Sequence, residues 1–283
     1  MSAASAPGSS ANLGPGYDVL ALALDLRCRV TVIESAEWSV RSGGAPADPG
    51  GASLARRAAE SAAPGVGPLA VAVESEIPIA RGLGSSAALI VATIAAVRAL
   101  AGGSTDPGDL LGIAAGVEGH PDNVAAALFG GLVAVGPGGG VRSLGVHPSL
   151  RVLVAVPDAT LPTERARLAT AGPVETAVAA RTAARLAFLI EGFRTGDPAA
   201  LASAAGDELH EERRAHLSPI TGRLIGAARD AGALHACWSG VGPSALALVT
   251  EATMEQVGAA LAGALEGGYV LSPDLDREGL VVG

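Results

Sequence analysis

A glycine-rich loop near the middle of the chain leads directly into an apolar segment. The loop and the residues after it read Arg81-Gly82-Leu83-Gly84-Ser85-Ser86-Ala87-Ala88, and the apolar run continues to Val97. Glycine lets a backbone approach an anion closely, and the start of a helix presents unpaired N–H groups and the positive end of its dipole. Two adjacent serines add hydroxyls that can reach a phosphate oxygen or a magnesium ion. The stretch therefore predicts a phosphate-binding loop.

The absence of lysine excludes the commonest classes of phosphate-binding protein. All 19 basic residues are arginines. The P-loop motif ends in Gly-Lys-Ser or Gly-Lys-Thr, and protein kinases place a lysine on the ATP phosphates. Schiff-base chemistry, including that of pyridoxal phosphate, also requires a lysine. The loop must therefore belong to another class of phosphate site.

Composition restricts the partners and the compartment. The net charge of −9 argues against nucleic acid and anionic membranes, and an aromatic content of 2% leaves few platforms for base stacking. Cys28 and Cys237 are too few for a disulfide framework or a zinc site. The first residues do not resemble a signal peptide, and no apolar run approaches the roughly 20 residues that span a bilayer. We expect a cytoplasmic protein that binds small molecules, with no nucleic-acid or membrane partner.

Hydrophobic periodicity predicts a mixture of helices and strands. Strands are predicted at 19–26, 29–33, 69–77, 132–135, 150–156, 234–238, 244–249 and 269–271. Helices are predicted at 54–63, 85–101, 107–118, 124–129, 174–194, 199–210, 220–231 and 253–265. Glycine and proline between 136 and 148 predict a boundary that divides the chain into residues 1–148 and 149–283. The order of elements in the second part matches a ferredoxin-like βαββαβ unit with extra helices.

Three segments in chain order resemble the three motifs of the GHMP kinases, a superfamily that includes galactokinase, homoserine kinase, mevalonate kinase and phosphomevalonate kinase. The segments are Pro7-Gly8-Ser9-Ser10-Ala11-Asn12-Leu13-Gly14-Pro15-Gly16-Tyr17-Asp18, Pro78-Ile79-Ala80-Arg81-Gly82-Leu83-Gly84-Ser85-Ser86-Ala87-Ala88 and Ser239-Gly240-Val241-Gly242-Pro243-Ser244. One glycine cluster alone is weak evidence. Three in the family's order, spread over nearly the whole chain, are specific.

Within the superfamily the chain most resembles the homoserine kinases. The first motif contains Ser-Ala-Asn-Leu-Gly-Pro-Gly before an aromatic residue and Asp18, and residues 118–124 read Glu-Gly-His-Pro-Asp-Asn-Val. Residues 163–167 resemble that family's Thr-x-x-Ala-Arg, and residues 210–214 resemble its His-x-x-x-Arg. The chain departs from the pattern at Val241, where a smaller residue is usual, at Tyr17, where Phe is common, and near Ser53-Leu54, where Asn-Leu is often found.

The resemblance implies an α+β, two-domain GHMP kinase fold. Residues 1–148 would form an N-terminal ATP-binding domain like domain 2 of ribosomal protein S5, and residues 149–283 a ferredoxin-like C-terminal domain. The implied reaction is the ATP- and Mg²⁺-dependent phosphorylation of the side-chain hydroxyl of L-homoserine to O-phospho-L-homoserine, a step of threonine biosynthesis. Members of the family often form homodimers.

The resemblance also assigns roles to individual residues. The nucleotide would be bound by Pro78, Arg81, Gly82, Leu83, Gly84, Ser85, Ser86 and Ala87. Ser86 and Glu118 would hold the metal, and Asn12, Asp18 and Asn123 would be catalytic. The amino-acid substrate would be bound by Asn12, Asp18, His120, Asp122, Thr163, Arg167, Arg214 and Gly242. Asp18 would either bind the substrate ammonium or accept the hydroxyl proton, and the two arginines would hold the carboxylate.

The residues by themselves leave other interpretations open. A single glutamate such as Glu118 is most often a solvated surface group, a single Asp18 or Asn12 is compatible with a turn, and isolated arginines usually lie on the surface. Two other functions also remain open. One is a GHMP kinase that acts on another hydroxylated amino acid or small acid, and the other is a non-catalytic homologue that binds a ligand.

Overall fold

The computed structural model describes all 283 residues as an α+β protein built on two β-sheets. The strands are β1 (Ser2–Asn12), β2 (Gly16–Glu34), β3 (Ser39–Ser42), β4 (Ala45–Pro46), β5 (Leu69–Ser75), β6 (Leu132–Val135), β7 (Val141–Leu144), β8 (Leu150–Pro157), β9 (His235–Trp238), β10 (Ala245–Thr250), β11 (Gly268–Leu271) and β12 (Val281–Val282). The α-helices are α1 (Pro49–Ala62), α2 (Ser85–Leu100), α3 (Pro107–Glu118), α4 (Asp122–Phe129), α5 (Thr163–Thr170), α6 (Thr176–Thr195), α7 (Pro198–Ser203), α8 (Glu211–Arg214), α9 (Pro219–Asp230) and α10 (Glu251–Ala264).

The N-terminal sheet is built around a long hairpin of β1 and β2. Its strands run in the order β12-β1-β2-β5-β3-β4, and β6 pairs with both β2 and β7. The pairing of β1 with β2 shifts register between Ala11 and Asn12. Beyond the shift, Asn12, Leu13 and Asp18 have φ angles of 70°, 52° and 54°, a region that non-glycine residues adopt at a cost. The closed end of the hairpin, from Asn12 to Asp18, is therefore strained, as functional segments often are.

β2 is one continuous strand where the sequence predicts two, at 19–26 and 29–33. Asp25 and Arg27 interrupt its apolar pattern. Both residues are accommodated by the C-terminal segment, because the Asp25 N–H donates to the Asp274 carbonyl at 2.9 Å and the Arg27 guanidinium pairs with Asp276. The pairing of β1 with β2 shifts register here, between Pro7 and Gly8, and distant contacts satisfy the charged middle of the strand in place of the ladder.

Helix α2, which follows the glycine loop, is the central helix of the N-terminal part. Every residue from Ala87 to Val97 except Leu89 is buried. The helix packs on β1 and β2 and is flanked by α1, α3 and α4. A helix surrounded on all sides needs apolar residues all round, so the apolar run has a structural explanation. The prediction of a buried helix beginning at Ser85 is confirmed.

The C-terminal sheet has the strand order β11-β8-β10-β9, and all its neighbours are antiparallel. With strands numbered within the unit this order is 4-1-3-2, which is that of a ferredoxin-like βαββαβ unit. Helices α9 and α10 pack together on this sheet. Helices α5 to α8 are inserted between β8 and α9, and α5 and α8 carry several predicted site residues.

The last residues of the chain return to the N-terminal sheet, where β12 pairs with the edge of β1. The predicted division between 148 and 149 falls between β7 and β8. That division stays a prediction. None of the helices combines the length and the apolar composition that a membrane-spanning helix requires.

Candidate active site

The three motif segments meet at the glycine loop. A Cβ atom on Gly82 would collide with the carbonyl oxygen of Ser239, in the third motif. A Cβ atom on Gly84 would lie 2.5 Å from the Ser9 hydroxyl, in the first motif, and 3.1 Å from Asn123 Oδ1. Both glycines also have positive φ, near 70°. Glycine is therefore required here for close approach as well as for backbone conformation.

Hydrogen bonds between the motifs hold this arrangement. The Ser9 N–H donates to the Leu83 carbonyl at 3.0 Å, and the Ser239 hydroxyl donates to the Gly82 carbonyl at 2.8 Å. The Gly240 N–H also donates to the carbonyl of Ala11, in the first motif, at 3.0 Å. The loop is thus fixed on both sides before any ligand binds.

The start of α2 is open to an anion. Gly84 is the N-cap residue in a left-handed conformation, and no side chain caps the helix. The first helical hydrogen bond is from the Ala88 N–H to the Gly84 carbonyl. The N–H groups of Ser85, Ser86 and Ala87 therefore have no acceptor within the helix. These groups and the helix dipole suit a phosphate.

A cavity of about 390 Å³ adjoins the loop. Of the predicted nucleotide-binding residues, Gly82, Leu83, Gly84, Ser85 and Ser86 line it. Pro78, Arg81 and Ala87 do not line it, and the Arg81 guanidinium instead donates to the carbonyls of Ile79, Pro157 and Asp158. Arg81 thus anchors the loop to the end of β8.

The far end of the cavity is lined by residues outside the predicted nucleotide-binding set. Its residues are Cys28, Val40, Ser42, Ala47, Asp48, Leu54, Val73, Ser75, Ile79 and Leu89. This end is mostly apolar and lies next to the phosphate loop, so it suits a nucleoside base. None of these residues was assigned to the nucleotide from sequence, because they come from strands, helices and loops that are far apart in the chain. Burial raises the pKa of the Cys28 thiol to about 11, so this cysteine is unreactive at neutral pH.

Ser86 and Glu118 form the predicted metal site. The Ser86 hydroxyl donates to Glu118 Oε2 at 2.6 Å, so the two oxygen ligands already lie together. Burial raises the pKa of Glu118, although the bond from Ser86 and the charge of His120 oppose the rise. No cluster of three or more His, Cys, Asp or Glu side chains forms a complete metal cage. Two oxygen ligands fit Mg²⁺ that keeps waters and takes further ligands from phosphates.

The loop after α3 places three predicted residues beside Glu118. His120 Nδ1 lies 2.9 Å from Asp122 Oδ1, and His120 Nε2 lies 3.8 Å from Glu118 Oε1. Burial alone would lower the pKa of His120, but the hydrogen bond and charge of Asp122, with Glu118, raise it. Asn123 Oδ1 accepts from the Ser9 hydroxyl at 2.8 Å, which leaves its NH₂ group available. Ser9 supports Asn123 from outside the cavity, whose lining includes Glu118, His120, Asp122 and Asn123.

Asp18 and Arg167 pair with each other across the acceptor side of the site. Arg167 Nη2 lies 2.9 Å from Asp18 Oδ1, and Nη1 lies 3.4 Å from Oδ2. Both side chains are about one-third exposed. Arg167 lines the cavity, and Asn12 Oδ1 accepts the Asp18 N–H at 3.0 Å. Since Asn12 Nδ2 donates to the Gly240 carbonyl at 2.9 Å, Asn12 joins the first and third motifs.

Arg214 is the largest fully buried side chain of the protein. Its Nη1 donates to the Gly240 carbonyl at 3.1 Å, whereas Nε and Nη2 have no partner. Its guanidinium carbon lies 5.7 Å from the centre of the Tyr17 ring. Burial lowers the pKa of Arg214. A buried guanidinium with unused donors is suited to an anionic group, although Arg214, unlike Arg167, does not line the cavity.

The remaining predicted residues lie at the edges of the site. Thr163 begins α5 and lines the cavity. Gly242 has a φ of 84°, and a Cβ atom there would lie 2.5 Å from the Trp238 ring. Gly242 thus shapes the third motif, while its neighbour Val241 lines the cavity. The bulk of Val241 therefore faces the ligand space.

A buried polar cluster behind Arg214 was missed in the sequence. It consists of Asp207, His210 and Glu211. Asp207 Oδ2 accepts the N–H groups of both other residues, at 2.6 and 3.0 Å. Glu211 Oε1 accepts the Trp238 N–H at 2.7 Å, just before the third motif. Burial raises the pKa of Glu211 to about 7 and lowers that of His210 to about 4. Only His210 had a signal, as the first residue of the His-x-x-x-Arg stretch.

Comparisons with known families agree with this geometry. The family model described as the GHMP kinases N terminal domain matches residues 53–131. The model described as GHMP kinases C terminal matches residues 189–267. The two-sheet fold and the three converging motifs thus define a GHMP kinase.

Individual relatives identify the family within the GHMP kinase superfamily. The chain is 38% identical to the homoserine kinase of Moorella thermoacetica over 91% of this chain and 90% of that protein. It is 35% identical to the homoserine kinase of Desulfitobacterium hafniense over 98% of each. The crystal structure of homoserine kinase from Cytophaga hutchinsonii matches with a TM-score of 0.84 and 27% identity, covering 99% of this chain and 96% of that one. The chain belongs to the homoserine kinase family.

Proposed function

We propose that this protein transfers the γ-phosphoryl group of ATP to the side-chain hydroxyl of L-homoserine. The hydroxyl oxygen forms the new P–O bond, the bond to the bridging oxygen of ADP breaks, and the hydroxyl proton is released. The product is O-phospho-L-homoserine, an intermediate of threonine biosynthesis. The observation that carries the proposal is that the phosphate loop and Arg167 line one cavity, with the Asp18 carboxylate paired to that arginine. The homoserine kinase relatives support the choice of acceptor.

The nucleotide would occupy the cavity with its phosphates at the start of α2 and its base in the apolar end. Ser86 and Glu118 would hold Mg²⁺, which neutralises phosphate charge during transfer. Gly82, Gly84 and the free N–H groups of α2 would contact phosphate oxygens. Because these groups are fixed by bonds between the motifs, they need little rearrangement when charge develops on the phosphoryl group.

The acceptor would bind where Asp18 and Arg167 pair. A zwitterionic amino acid can replace this pair, with its ammonium on Asp18 and its carboxylate on Arg167 and Arg214. Guanidinium groups suit a carboxylate because they present parallel N–H donors. Asn123 and His120 would orient the hydroxyl, while Asn12 would hold Asp18 in place. Phosphoryl transfer depends on such positioning more than on a strong base.

A substrate panel tests the proposal. Purified protein is assayed with Mg²⁺ and ATP on L-homoserine, L-threonine and L-serine, with ADP release followed and the phosphorylated product identified by mass spectrometry. We expect a clear preference for homoserine. Equal turnover of the three acceptors would favour a kinase for another hydroxylated acid. If none of the acceptors is turned over and a Glu118→Gln variant binds ligand as the wild type does, the protein is a ligand-binding homologue. The expected homodimer and cytoplasmic location stay predictions.

A further inference from the structure

Tyr17 connects the first motif to helix α5 through its hydroxyl. The Tyr17 hydroxyl lies 3.2 Å from Thr170 Oγ1, at the end of α5. The Thr170 hydroxyl in turn donates to the carbonyl of Arg167 at 2.8 Å. Because a threonine hydroxyl has one hydrogen and it is used on that carbonyl, Tyr17 is the donor to Thr170. A chain of two hydrogen bonds therefore runs from the Tyr17 side chain to the backbone of Arg167.

The ring of Tyr17 meets the second arginine of the site. The Arg214 guanidinium carbon lies 5.7 Å from the ring centre, within the range of a cation–π contact. The His210 ring stacks on Tyr17 at 4.9 Å with an angle of 24° between the planes. His210 Nε2 donates to the Gly14 carbonyl at 2.7 Å, which fixes that ring against the first motif. The Tyr17 ring is therefore held in place independently of its hydroxyl.

Apart from the pair that Arg167 forms with Asp18, helix α5 has few contacts that hold it. Ala166 is its only buried residue, and Leu168 is 71% exposed. At its C-terminal end, Arg213 Nη1 donates to the Thr170 carbonyl at 3.0 Å. A short helix with so few buried contacts has low local stability, so single hydrogen bonds change how often it is in place.

We propose that Tyr17 is a positioning residue for the amino-acid substrate. Its hydroxyl fixes the position of Arg167 through Thr170, and its ring supports the Arg214 guanidinium. The inference rests on the proposed function, since it concerns the acceptor side of the same site. The contacts of Tyr17 and Thr170 lead to the two arginines of the acceptor side, and none of their hydrogen bonds reaches the glycine loop, Ser86 or Glu118. Loss of the hydroxyl therefore affects the acceptor and spares ATP.

The first test is Tyr17→Phe, which removes one oxygen and keeps the ring. Loss of one hydrogen bond lowers the fraction of molecules with α5 in place, and we expect the KM for homoserine to rise about fivefold. The KM for ATP and kcat at saturating homoserine are expected to stay within about twofold of the wild type. Steady-state kinetics with each substrate varied in turn measure all three.

Further variants separate positioning from a general loss of structure. Thr170→Val removes the acceptor, and the double variant Tyr17→Phe/Thr170→Val should be no worse than Thr170→Val alone because both changes break one chain of bonds. Thr170→Ser keeps the hydroxyl and should restore the wild-type KM. Tyr269→Phe, at a half-exposed tyrosine on β11, is the matched control and should change nothing.

Two results would overturn the inference while leaving the proposed function intact. One is a wild-type KM for homoserine in Tyr17→Phe. The other is additive effects of the two substitutions, since independent sites add. If the wild-type protein itself fails to phosphorylate homoserine, the proposed function fails first. In that case calorimetric titration of homoserine into wild type and Tyr17→Phe decides the inference, because equal dissociation constants would contradict it.

Discussion

At the scale of single residues, burial decides how the charged groups of the site behave. Arg214 is fully enclosed, yet two of its three nitrogens have no partner. Glu211 is almost as buried and accepts a backbone N–H instead of pairing directly with an arginine. Unsatisfied buried donors are costly, so the two unused nitrogens of Arg214 would be stabilised by a ligand that accepts from them. The two residues therefore lead to different expectations.

Arg214→Ala should weaken binding of the amino acid and spare the nucleotide. Removing one partner of a buried charge pair costs about 2–5 kcal/mol, so the KM for homoserine should rise by roughly 30-fold or more. The KM for ATP should change little. Arg223→Ala is the control, because that arginine lies at the surface of α9 and pairs only with exposed Glu266. Equal increases in both KM values would show that Arg214 does not bind the substrate carboxylate.

Glu211→Gln should change how stability depends on pH. The folded protein holds the Glu211 proton up to a pKa of about 7, whereas the ordinary value is 4.5. Between these values the folded state binds more protons than the unfolded state, so the wild type loses stability as pH rises, by up to about 1.4 kcal/mol per pH unit. Glutamine keeps the acceptor for the Trp238 N–H and removes this loss.

Urea unfolding at pH 4.5, 6 and 8 measures the difference between the two proteins. The variant and the wild type should be most alike at pH 4.5, and the advantage of the variant should grow up to about pH 7 and then level off. An advantage that is constant over the whole range would mean that the Glu211 carboxyl does not titrate abnormally.

At the scale of elements, the glycine loop acts through its neighbours as much as through its own conformation. Gly82 contacts the third motif and Gly84 contacts the first, so the loop cannot keep its position if either glycine gains a side chain. Arg81 adds three hydrogen bonds to carbonyls near the loop and the end of β8. The loop lies at the junction where the three motif segments meet.

Gly82→Ala tests this junction. Gly102 has nearly the same φ, 71° against 70°, but a Cβ atom there would meet nothing within 4 Å. Gly102→Ala therefore measures backbone strain alone, about 1 kcal/mol of unfolding free energy. Gly82→Ala adds a backbone collision and should cost about 1–3 kcal/mol more, with a raised KM for ATP. Equal losses of stability in the two variants would show that the junction tolerates the extra atom.

Elements with a strong local signal were predictable, and those held by distant contacts were not. The helix at α2, the Asp106-capped start of α3 and the ferredoxin-like strand order follow from local patterns and are found in the structure. Helix α5 was missed because it has a single buried residue and therefore no apolar stripe. The predicted helix at 199–210 is also wrong in length. It ends at Ser203, and a turn held by Asp207 precedes α8.

At the scale of the whole molecule, the chain ends tie its two sheets together. The last residues leave β11 in the C-terminal sheet and pair as β12 with β1. Arg27 on β2 pairs with Asp276 and donates to the Gly279 carbonyl at 2.6 Å. The Asp276 side chain is 4% exposed. This contact fixes the final segment against the N-terminal sheet.

Asp276→Asn should destabilise the whole protein without changing substrate affinity. Asparagine keeps the size and the acceptor for the Gly279 N–H but loses the charge, and a hydrogen bond to a charged group contributes about 1.5–3 kcal/mol. The control is Glu251→Gln, which breaks the exposed pair with Arg151 and should cost less than about 1 kcal/mol. Chemical unfolding compares the two, and similar losses would show that the buried pair contributes no more than a surface one.

The sequence by itself determined the class of this protein, because glycine positions and short motifs are local requirements of the backbone. It also identified Asp18, Glu118, Arg167 and Arg214 as a group through a family resemblance. Only the tertiary structure decided that Asp18 pairs with Arg167, that Arg214 is fully buried and that Tyr17 connects to both arginines. Those relations join residues more than 100 positions apart, and burial and charge pairing at such separations depend on how the two sheets pack.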